Sequence, residues 1–292
     1  MAATRFNRAQ KNQKPGVQAI TPRRMDFEFP DVPRYWANND PVVTHLFNAF
    51  STIFPEGEKF FVDAVRAHRH LVTDPARRKE ISGFIGQEAM HSKEHDAFNR
   101  MLSSHGYQRL VERCEAQVRE GLAEARIDLT PRRQLAITAA LEHITAVMAH
   151  HLLSDRDIAE SLHPAVRNLW LWHAIEETEH KAVAFDLYQE LPPSYSERVS
   201  VFLKVTLGLS FTITFYTLSF LRADGLASKP KVLARGAWRL FGRKGLLSRM
   251  LPDYLTYLKP GFHPWDQDNR ELLAQWQHVL ETRQPEVQAD AA

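Results

Sequence analysis

Two Glu-x-x-His units, Glu88–His91 and Glu177–His180, are the parts of this chain best suited to chemistry. Residues three apart on a helix share a face, so the carboxylate and the imidazole of one unit can reach the same metal ion. Glu58 and Glu142 each lie about one helix before one of these units, in an apolar helical pattern. A Glu from each of two helices, with Glu-x-x-His from each of two others, is the ligand set of a dinuclear site in a four-helix bundle. The sequence therefore predicts two metal ions in a helical core.

His173 extends this set, because it lies four residues before Glu177 on the same helical stripe. The predicted ligands are Glu58, Glu88, His91, Glu142, His173, Glu177 and His180. Four carboxylates and three imidazoles suit two divalent ions, which we expect Glu88 and Glu177 to bridge. The nitrogen and oxygen ligands favour two iron ions, with manganese or a mixed iron–manganese pair as alternatives. His95, one turn after His91, is either a further ligand or a residue that holds a ligand in place.

The simpler interpretation of these acidic residues is that they are surface charges, since a single Glu-x-x-His unit is a weak signal. Nearby carboxylates compete for the ligand roles: Glu56, Glu94, Glu176 and Glu179. We prefer Glu58 to Glu56 because Glu58 is in phase with the apolar positions of its helix. A buried carboxylate without a partner is costly, and coordination to a metal offsets that cost. Two units, each with a glutamate in an apolar context, therefore favour the metal site.

The helix predicted around Glu142 carries small residues on the same face: Thr145, Ala146 and Ala149. Small residues beside a metal site leave volume for dioxygen, water or an organic substrate, so these three are the predicted lining of a substrate cavity. The alternative is tight helix packing, which alanine also allows. No catalytic residue beyond the metal ligands is predicted, because the chain has no Gly-x-Ser-x-Gly motif and Cys114 lies in a charged helix.

The composition limits the class of protein. The chain has 292 residues, of which 44% are hydrophobic and 25% charged, and these values fit a globular protein with a substantial core. Its net charge of +2 is too small to indicate nucleic acid as a partner. The single cysteine excludes an internal disulfide and fits a reducing compartment. The N-terminus lacks the apolar segment of a secretory signal, so we expect a cytoplasmic protein.

Helical periodicity dominates the chain and predicts an all-α fold, a ferritin-like four-helix bundle with a C-terminal helical extension. The expected organisation is a basic disordered tail (1–24), a metal-binding helical bundle (25–190) and an extension packed on the bundle (191–282). Pro55, followed by Gly57, predicts a kink or a new helix start just before Glu58. A helix that starts at His163-Pro164 is expected to reach Glu190.

The extension contains an apolar segment, 205–221, whose 17 residues carry no charge. This length is at the lower limit for crossing a bilayer, and several Ser and Thr residues weaken that interpretation. A buried helix that covers the bundle is therefore favoured over a membrane-inserted one. The basic and aromatic stretch at 235–244 fits a membrane surface, so peripheral membrane association is an alternative.

Four segments resemble a bacterial family of predicted metal-dependent hydrolases. They are FPEGEKFF (54–61), FIGQEAMHSKEH (84–95), WHAIEETEHKAVA (172–184) and YLKPGFHPW (257–265). The ligand pattern is also similar to that of ferritin-like di-iron carboxylate oxygenases. With His173 included it resembles the arylamine N-oxygenase branch, whose site has three histidines and four glutamates. That resemblance implies the same seven residues as ligands.

Three functions compete. The first is a di-iron oxygenase or oxidase that activates dioxygen to oxidise an unidentified organic substrate, and the ligand types favour it. Its expected partners are a small, apolar substrate, dioxygen and an electron donor, and the chain could also pair as a homodimer. The second is a metal-dependent hydrolase in which the dinuclear site activates water, as the hydrolase family resemblance implies. The third, iron storage or a purely structural bundle, does not explain the residues after Glu190.

Overall fold

The computed structural model describes residues 20–192 and 194–289, with side chains described as far as residue 279. Within these ranges the chain consists of helices and turns, with one isolated bridge between Ala37 and Leu162. The prediction of an all-α fold is confirmed.

Four long helices carry the predicted ligands. The first six helices are α1 (Pro41–His68), α2 (Pro75–Leu102), α3 (Gln108–Asp128), α4 (Pro131–Ser154), α5 (Arg156–Ser161) and α6 (Pro164–His180). The ligand helices α1, α2, α4 and α6 each begin at a proline. Proline is well tolerated there, because a backbone N–H in the first turn would have no acceptor within the helix. The residue before each proline caps the helix with its side chain: Asp40, Asp74, Thr130 and His163. α1 packs mainly on α2, and α4 on α6.

The C-terminal helices cover one side of this group. They are α7 (Val183–Gln189), α8 (Tyr195–Ala223), α9 (Pro230–Phe241), α10 (Leu246–Tyr254) and α11 (Arg270–Ala289). α8 lies against both α1 and α4, while α9 packs on α1 and α10 packs on α4. The groove between α1 and α4 is therefore covered by α8 and α10.

α1 runs without interruption through Pro55, so the alternative of a new helix start before Glu58 is wrong. A proline inside a helix deprives the carbonyl four residues earlier, here that of Ser51, of its donor. Asn99 of α2 replaces that donor, because its Nδ2 donates to Ser51 O at 3.2 Å. Ser92 Oγ donates to the Pro55 carbonyl at 3.2 Å. Side chains of α2 thus compensate for the proline, and Glu58 lies within a continuous helix.

The helix predicted over 163–190 is divided after His180, where α6 ends and a turn leads to α7. Lys181 in this turn is buried, and its ammonium group donates to Gln267 O at 2.8 Å. Burial lowers the pKa of Lys181 to about 7. The turn therefore attaches the C-terminal segment directly beside the last predicted ligand.

Residues 20–24 lie against the helices, so these five positions do not belong to the disordered tail predicted for residues 1–24. Residues 1–19 lie outside the described part of the chain. Two glycines of α2 make room for the segment. A Cβ at Gly83 would lie 2.3 Å from Ile20 O, and a Cβ at Gly86 would lie 2.3 Å from Pro22 Cγ.

α8 is only half covered, which corrects the expectation of a buried helix. One face packs on α1 and α4, but Leu207 is 72% exposed and Phe211 is 74% exposed on the other. Among the described residues α8 is the one helix long and apolar enough to cross a membrane by length and composition, and 22% of its most apolar window is buried.

A buried carboxylate, that of Asp224, fixes the C-terminal end of α8 to the rest of the fold. Its side chain is 2% exposed. It accepts from four side chains, those of Arg34, Tyr35, His45 and Tyr107. Burial alone would raise the pKa of Asp224, but the hydrogen bonds from His45 and the two tyrosines outweigh it and lower the pKa.

We expect Asp224→Asn to lower the free energy of unfolding by about 3 kcal/mol, since it breaks a buried, hydrogen-bonded charge cluster. Because the folded-state pKa is lowered, this stabilisation is present at neutral pH and is lost as the pH falls through that value. Urea unfolding of both proteins at neutral and acidic pH measures it, with Asp128→Asn at the exposed end of α3 as the control. Equal unfolding free energies for Asp224→Asn and the wild type at neutral pH would contradict the prediction.

Candidate metal centre

All seven predicted ligands are buried and lie in one cluster between α1, α2, α4 and α6. α1 supplies Glu58, α2 supplies Glu88 and His91, α4 supplies Glu142, and α6 supplies His173, Glu177 and His180. Overlapping groups of three, with ligand atoms within 4.8 Å of one another, connect all seven. The described chain therefore contains residue clusters able to hold metal ions.

Glu177 lies at the centre of the cluster, because it contacts all three histidines. Its Oε1 lies 2.9 Å from His173 Nε2, 3.5 Å from His91 Nδ1 and 3.6 Å from His180 Nε2. Glu88 contacts two of them: its Oε1 lies 3.1 Å from His180 Nε2 and its Oε2 lies 3.8 Å from His91 Nδ1.

Glu58 and Glu142 lie at the two ends of the cluster. Glu58 Oε1 is 3.9 Å from His173 Nε2, and Glu142 Oε2 is 3.5 Å from His180 Nε2. Glu88 and Glu177 therefore lie in the middle of the cluster, with one further carboxylate at each end.

Most of the unpaired buried polar atoms in the described chain belong to this cluster. Twelve buried side-chain nitrogen and oxygen atoms have no hydrogen-bond partner, and nine of them are on predicted ligands. They are both carboxylate oxygens of Glu58, Glu88 and Glu142, Oε2 of Glu177, Nδ1 of His91 and Nε2 of His180. Each unpaired group costs about 1–3 kcal/mol or more. Divalent ions would satisfy all of these atoms, so the residues present fit a pair of metal ions.

Two of the histidines turn one ring nitrogen towards the cluster and the other towards a partner outside it. His91 Nε2 lies 3.1 Å from Glu176 Oε2, and His180 Nδ1 lies 3.0 Å from Gln87 Oε1. Such outer partners fix the orientation and the tautomer of a ligand histidine. His180 must donate its Nδ1–H to the amide oxygen of Gln87, so Nε2 is the nitrogen that faces the carboxylates and could bind a metal once it is deprotonated.

A chain of hydrogen bonds sets the tautomer of His173. Asn99 Nδ2 donates to the Ser51 carbonyl, so Asn99 Oδ1 accepts from Ser51 Oγ at 2.9 Å. His95 Nδ1 therefore donates to Ser51 Oγ at 2.9 Å, and His95 Nε2 accepts from His173 Nδ1 at 2.6 Å. His173 Nε2 then carries the lone pair that faces Glu177. Both nitrogens of His95 are occupied, which favours the role of a residue that holds a ligand.

Arg23 connects two of these outer partners, and sequence reasoning missed it. Its Nη1 donates to Glu176 Oε1 at 2.9 Å, and its Nη2 donates to Glu179 Oε1 at 2.6 Å. Glu179 Oε2 in turn accepts from Gln87 Nε2 at 2.6 Å. Arg23 thus holds Glu176 directly and Gln87 through Glu179. Glu176 and Gln87 are the outer partners of two ligand histidines.

A family model described as "Predicted metal-dependent hydrolase" matches residues 21–268, most of the chain and the whole of this site. The chain belongs to this family. No curated protein and no solved structure matches the chain. The predicted resemblance to this family is therefore confirmed. The family's description fits the hydrolase alternative better than the favoured oxygenase, and the resemblance to di-iron oxygenases has no support from these comparisons.

In this member of the hydrolase family, the competing carboxylates have partners of their own. Glu56 pairs with Lys59 and Arg119 at 3.2 and 3.1 Å, away from the cluster. Glu94 accepts from the backbone N–H groups of residues 26 and 27, both at 2.9 Å. Glu176 and Glu179 are held by Arg23, as described above. The preference for Glu58 over Glu56 agrees with this geometry.

Four ligands of this hydrolase-family site have pKa values that are shifted towards protonation. Burial raises the pKa of both Glu58 and Glu142 well above the usual value. Burial alone would lower the pKa of His91, but Glu176 and Glu88 outweigh it and raise the pKa to about 10. In His180 the opposing effect of Glu142 and Glu177 likewise outweighs burial and raises the pKa. Without metal, Glu58 and Glu142 are therefore protonated more readily than ordinary glutamates, and His91 and His180 more readily than ordinary histidines.

Metal binding requires these groups to be deprotonated, so we expect it to release protons at neutral pH, at least one of them from His91. Because the pKa values concerned are raised, the affinity for metal should increase with pH and fall in acid. Calorimetric titration of the metal-free protein with Fe²⁺ or Mn²⁺, in buffers of different ionisation enthalpy, measures the number released. Identical heats in all buffers would mean that the ligands are already deprotonated, contrary to the prediction.

Two apolar cavities in this hydrolase-family chain reach the cluster from the groove between α1 and α4. The smaller, of about 60 Å³, lies under α10 and is lined by His173, Glu177 and the indole of Trp170, whose buried Nε1 has no hydrogen-bond partner. The larger, of about 370 Å³, lies under α8 and reaches Glu58. Thr145 lines both cavities.

The other two predicted cavity residues differ. Ala149 lines the smaller cavity, whereas Ala146 lines neither of the two. Ala146 is one residue beyond Thr145 and therefore about 100° further around α4.

Proposed function

We propose that this chain is a dinuclear metalloenzyme with its two ions between α1, α2, α4 and α6, and that these helices form a ferritin-like bundle. The observation that carries the proposal is the concentration of unpaired buried ligand atoms at one point of the core. The proposed ligands are the seven residues of the cluster, with Glu88 and Glu177 as bridges. Iron and manganese are the ions that such carboxylate-rich sites favour.

The reaction class best supported is hydrolysis of a substrate with an apolar part. Two divalent ions held by this site would polarise a scissile bond and activate a water. The family description supports this class. The protein's own contribution is to hold the ligand imidazoles in one tautomer, through Gln87 and His95, and to surround the reacting group with an apolar wall that includes Phe54 and Trp170.

Oxidation by dioxygen is the second candidate, supported by the ligand set and the apolar surroundings. Glu-x-x-His units on two helices with a Glu on each of two others are typical of di-iron carboxylate proteins. Both cavities that reach the ligands are lined mainly by apolar side chains, which limits the access of bulk water. This candidate also requires an electron donor.

The test begins with the metal content of protein from cells supplied with iron and with manganese. About two ions per chain supports the proposal, since the ligand set is that of a dinuclear site. The loaded protein is then assayed for hydrolysis of a p-nitrophenyl alkanoate, and its ferrous form is mixed with dioxygen in a stopped-flow instrument. Metal-dependent ester hydrolysis supports the first class, and rapid dioxygen consumption supports the second. Protein that binds no stoichiometric metal in either culture would refute both.

A further inference from the structure

The larger cavity is a feature that the metal site alone does not explain. It lies between α1, α3, α4 and α8, and its volume of about 370 Å³ falls within the range of about 300–1,000 Å³ found for small-molecule sites. Its inner end is formed by Glu58, whose buried carboxylate has both oxygens unpaired, and by Thr145. Apart from Glu58 and a few polar groups its walls are apolar, with Phe50, Phe61 and Leu209 among them.

Three glycines from three different helices line this cavity. They are Gly57 of α1, Gly121 of α3 and Gly208 of α8. Glycine within a helix is unfavourable relative to alanine, so its presence calls for a reason. Close packing of helices is not the reason here, because a Cβ at any of the three would have no neighbouring atom within 4 Å. The glycines therefore leave open space along the cavity wall.

The outer end of the cavity lies at the protein surface. Gly121 and Gly208 are exposed, whereas Gly57 is half-buried and directly precedes Glu58. Two polar lining residues, the exposed Gln117 and the half-buried Thr212, lie towards the surface, and Gln117 Oε1 accepts from Tyr216 Oη at 3.3 Å. The cavity is thus an apolar passage with a polar rim outside and the unpaired carboxylate of Glu58 inside.

We propose that this passage is the substrate channel, and that the substrate is an amphiphile whose slender apolar chain lies along the three glycines. The inference rests on the proposed function, because it names the class of substrate for that same site. An unbranched apolar chain would fit the open space that the three glycines leave along the passage. The polar rim suits the part of an amphiphile that remains in contact with water.

The channel is tested by measuring how dodecanoic acid displaces the bound fluorescent probe anilinonaphthalene sulfonate, which is followed by the loss of probe fluorescence. We expect Gly121→Leu and Gly208→Leu to weaken its binding at least about tenfold, since leucine would fill space that the apolar chain occupies. The metal content should be unchanged, and thermal stability unchanged or higher, because leucine favours the helix. Ser210→Leu adds the same side chain to the exposed face of α8 and serves as the matched control.

The channel fails if the wild type does not bind dodecanoic acid, or if both glycine variants bind it as tightly as Ser210→Leu does. The metal measurement separates this failure from that of the proposed function. Protein that binds metal but no amphiphile overturns only the channel. Protein that binds the amphiphile but no metal overturns the proposed function, and leaves the passage as a binding site.

A second inference comes from the outer surface of α8. Large apolar side chains recur along its exposed face: Leu203, Leu207, Phe211, Phe215 and Leu218. Beyond α8, Trp238 and Phe241 of α9 are 72% and 66% exposed. The stretch 225–249 contains seven lysines and arginines and no acidic residue, and three of the seven, Arg235, Arg239 and Arg249, pair with Asp40 or Asp155. An apolar face beside a basic, aromatic stretch is complementary to an anionic lipid surface.

We infer that the exposed face of α8, together with α9, binds the surface of an anionic lipid bilayer without crossing it. The channel mouth at Gly208 lies on the flank of this same helix, so an amphiphile could pass directly from the lipid to the site. The buried face of α8, which packs on α1 and α4, fixes the helix parallel to the surface of the protein.

Co-sedimentation with vesicles of phosphatidylcholine, with and without phosphatidylserine, tests this surface. We expect the wild type to bind the anionic vesicles, with an affinity that decreases as salt is added. In the double variant Phe211→Ser, Trp238→Ser this affinity should fall at least about tenfold. Ile127→Ser, which removes an exposed apolar side chain from α3, is the matched control. No vesicle binding by the wild type overturns the inference. The inference is also overturned if sedimentation shows a wild-type dimer that Phe211→Ser dissociates. A second copy of the chain would then cover the exposed face of α8.

Discussion

Glu142→Gln should remove metal from the protein and, at the same time, make the metal-free protein more stable. Glu142 is fully buried and neither of its oxygens has a hydrogen-bond partner. Burial raises its pKa well above the usual value, so the folded metal-free protein has a stronger preference for the protonated form than the unfolded chain has. At neutral pH that preference lowers stability, because the unfolded chain can ionise freely. Glutamine resembles the protonated acid and removes this penalty, but it is a much poorer metal ligand.

We expect the variant to bind at most about half of the metal that the wild type binds, since one terminal carboxylate of a dinuclear set is lost. Its unfolding temperature should lie above that of the metal-free wild type and below that of the metal-loaded wild type. Metal analysis and thermal unfolding, with and without a chelator, provide both readouts. Glu124→Gln on the exposed face of α3 should change neither. A variant that keeps full metal would show that Glu142 is not a ligand. A metal-free variant that is less stable than the metal-free wild type would show that the buried carboxyl group does not destabilise the fold.

Arg23→Gln should weaken metal binding by about 10–100-fold, although Arg23 contacts no ligand. The arginine donates to Glu176 and Glu179, and through them orients the imidazoles of His91 and His180. Without it, two buried glutamates lose their cation, and removing one partner of a buried pair costs about 3–5 kcal/mol. Arg24→Gln is a matched control, because Arg24 is exposed and pairs only with the exposed Asp26 among the described residues.

A second variant separates orientation from charge. Gly86→Ala would place its Cβ 2.3 Å from Pro22 Cγ and displace the segment that carries Arg23. It should weaken metal binding as Arg23→Gln does, although it removes no charge. Competition with a chromophoric chelator measures both affinities. Wild-type affinity in both variants would show that the N-terminal segment has no positioning role.

The ligand helices could be predicted from sequence because their signals are local. Asp74-Pro75 and Thr130-Pro131 mark helix starts, and Glu-x-x-His spacing places both side chains of a unit on one face. The effect of Pro55 could not be predicted, because Asn99 and Ser92 compensate for it from another helix.

The role of Arg23 and the exposure of α8 also depend on distant contacts. Arg23 lies in an acid-free stretch that resembles a disordered tail, and its partners come more than a hundred residues later. The apolar pattern of α8 favours a buried helix, and only the packing of the other helices shows which face is left uncovered.

The docking of residues 20–24 has a consequence for the order in which the site can be assembled. These residues leave the ribosome before any ligand does, yet Arg23 and Glu179 are 156 positions apart. Contacts so distant in sequence must await synthesis of the later helix and closure of a long loop. Until then the imidazoles of His91 and His180 lack the network that orients them. The earliest described residues to be synthesised are thus among the last to contribute to the metal site.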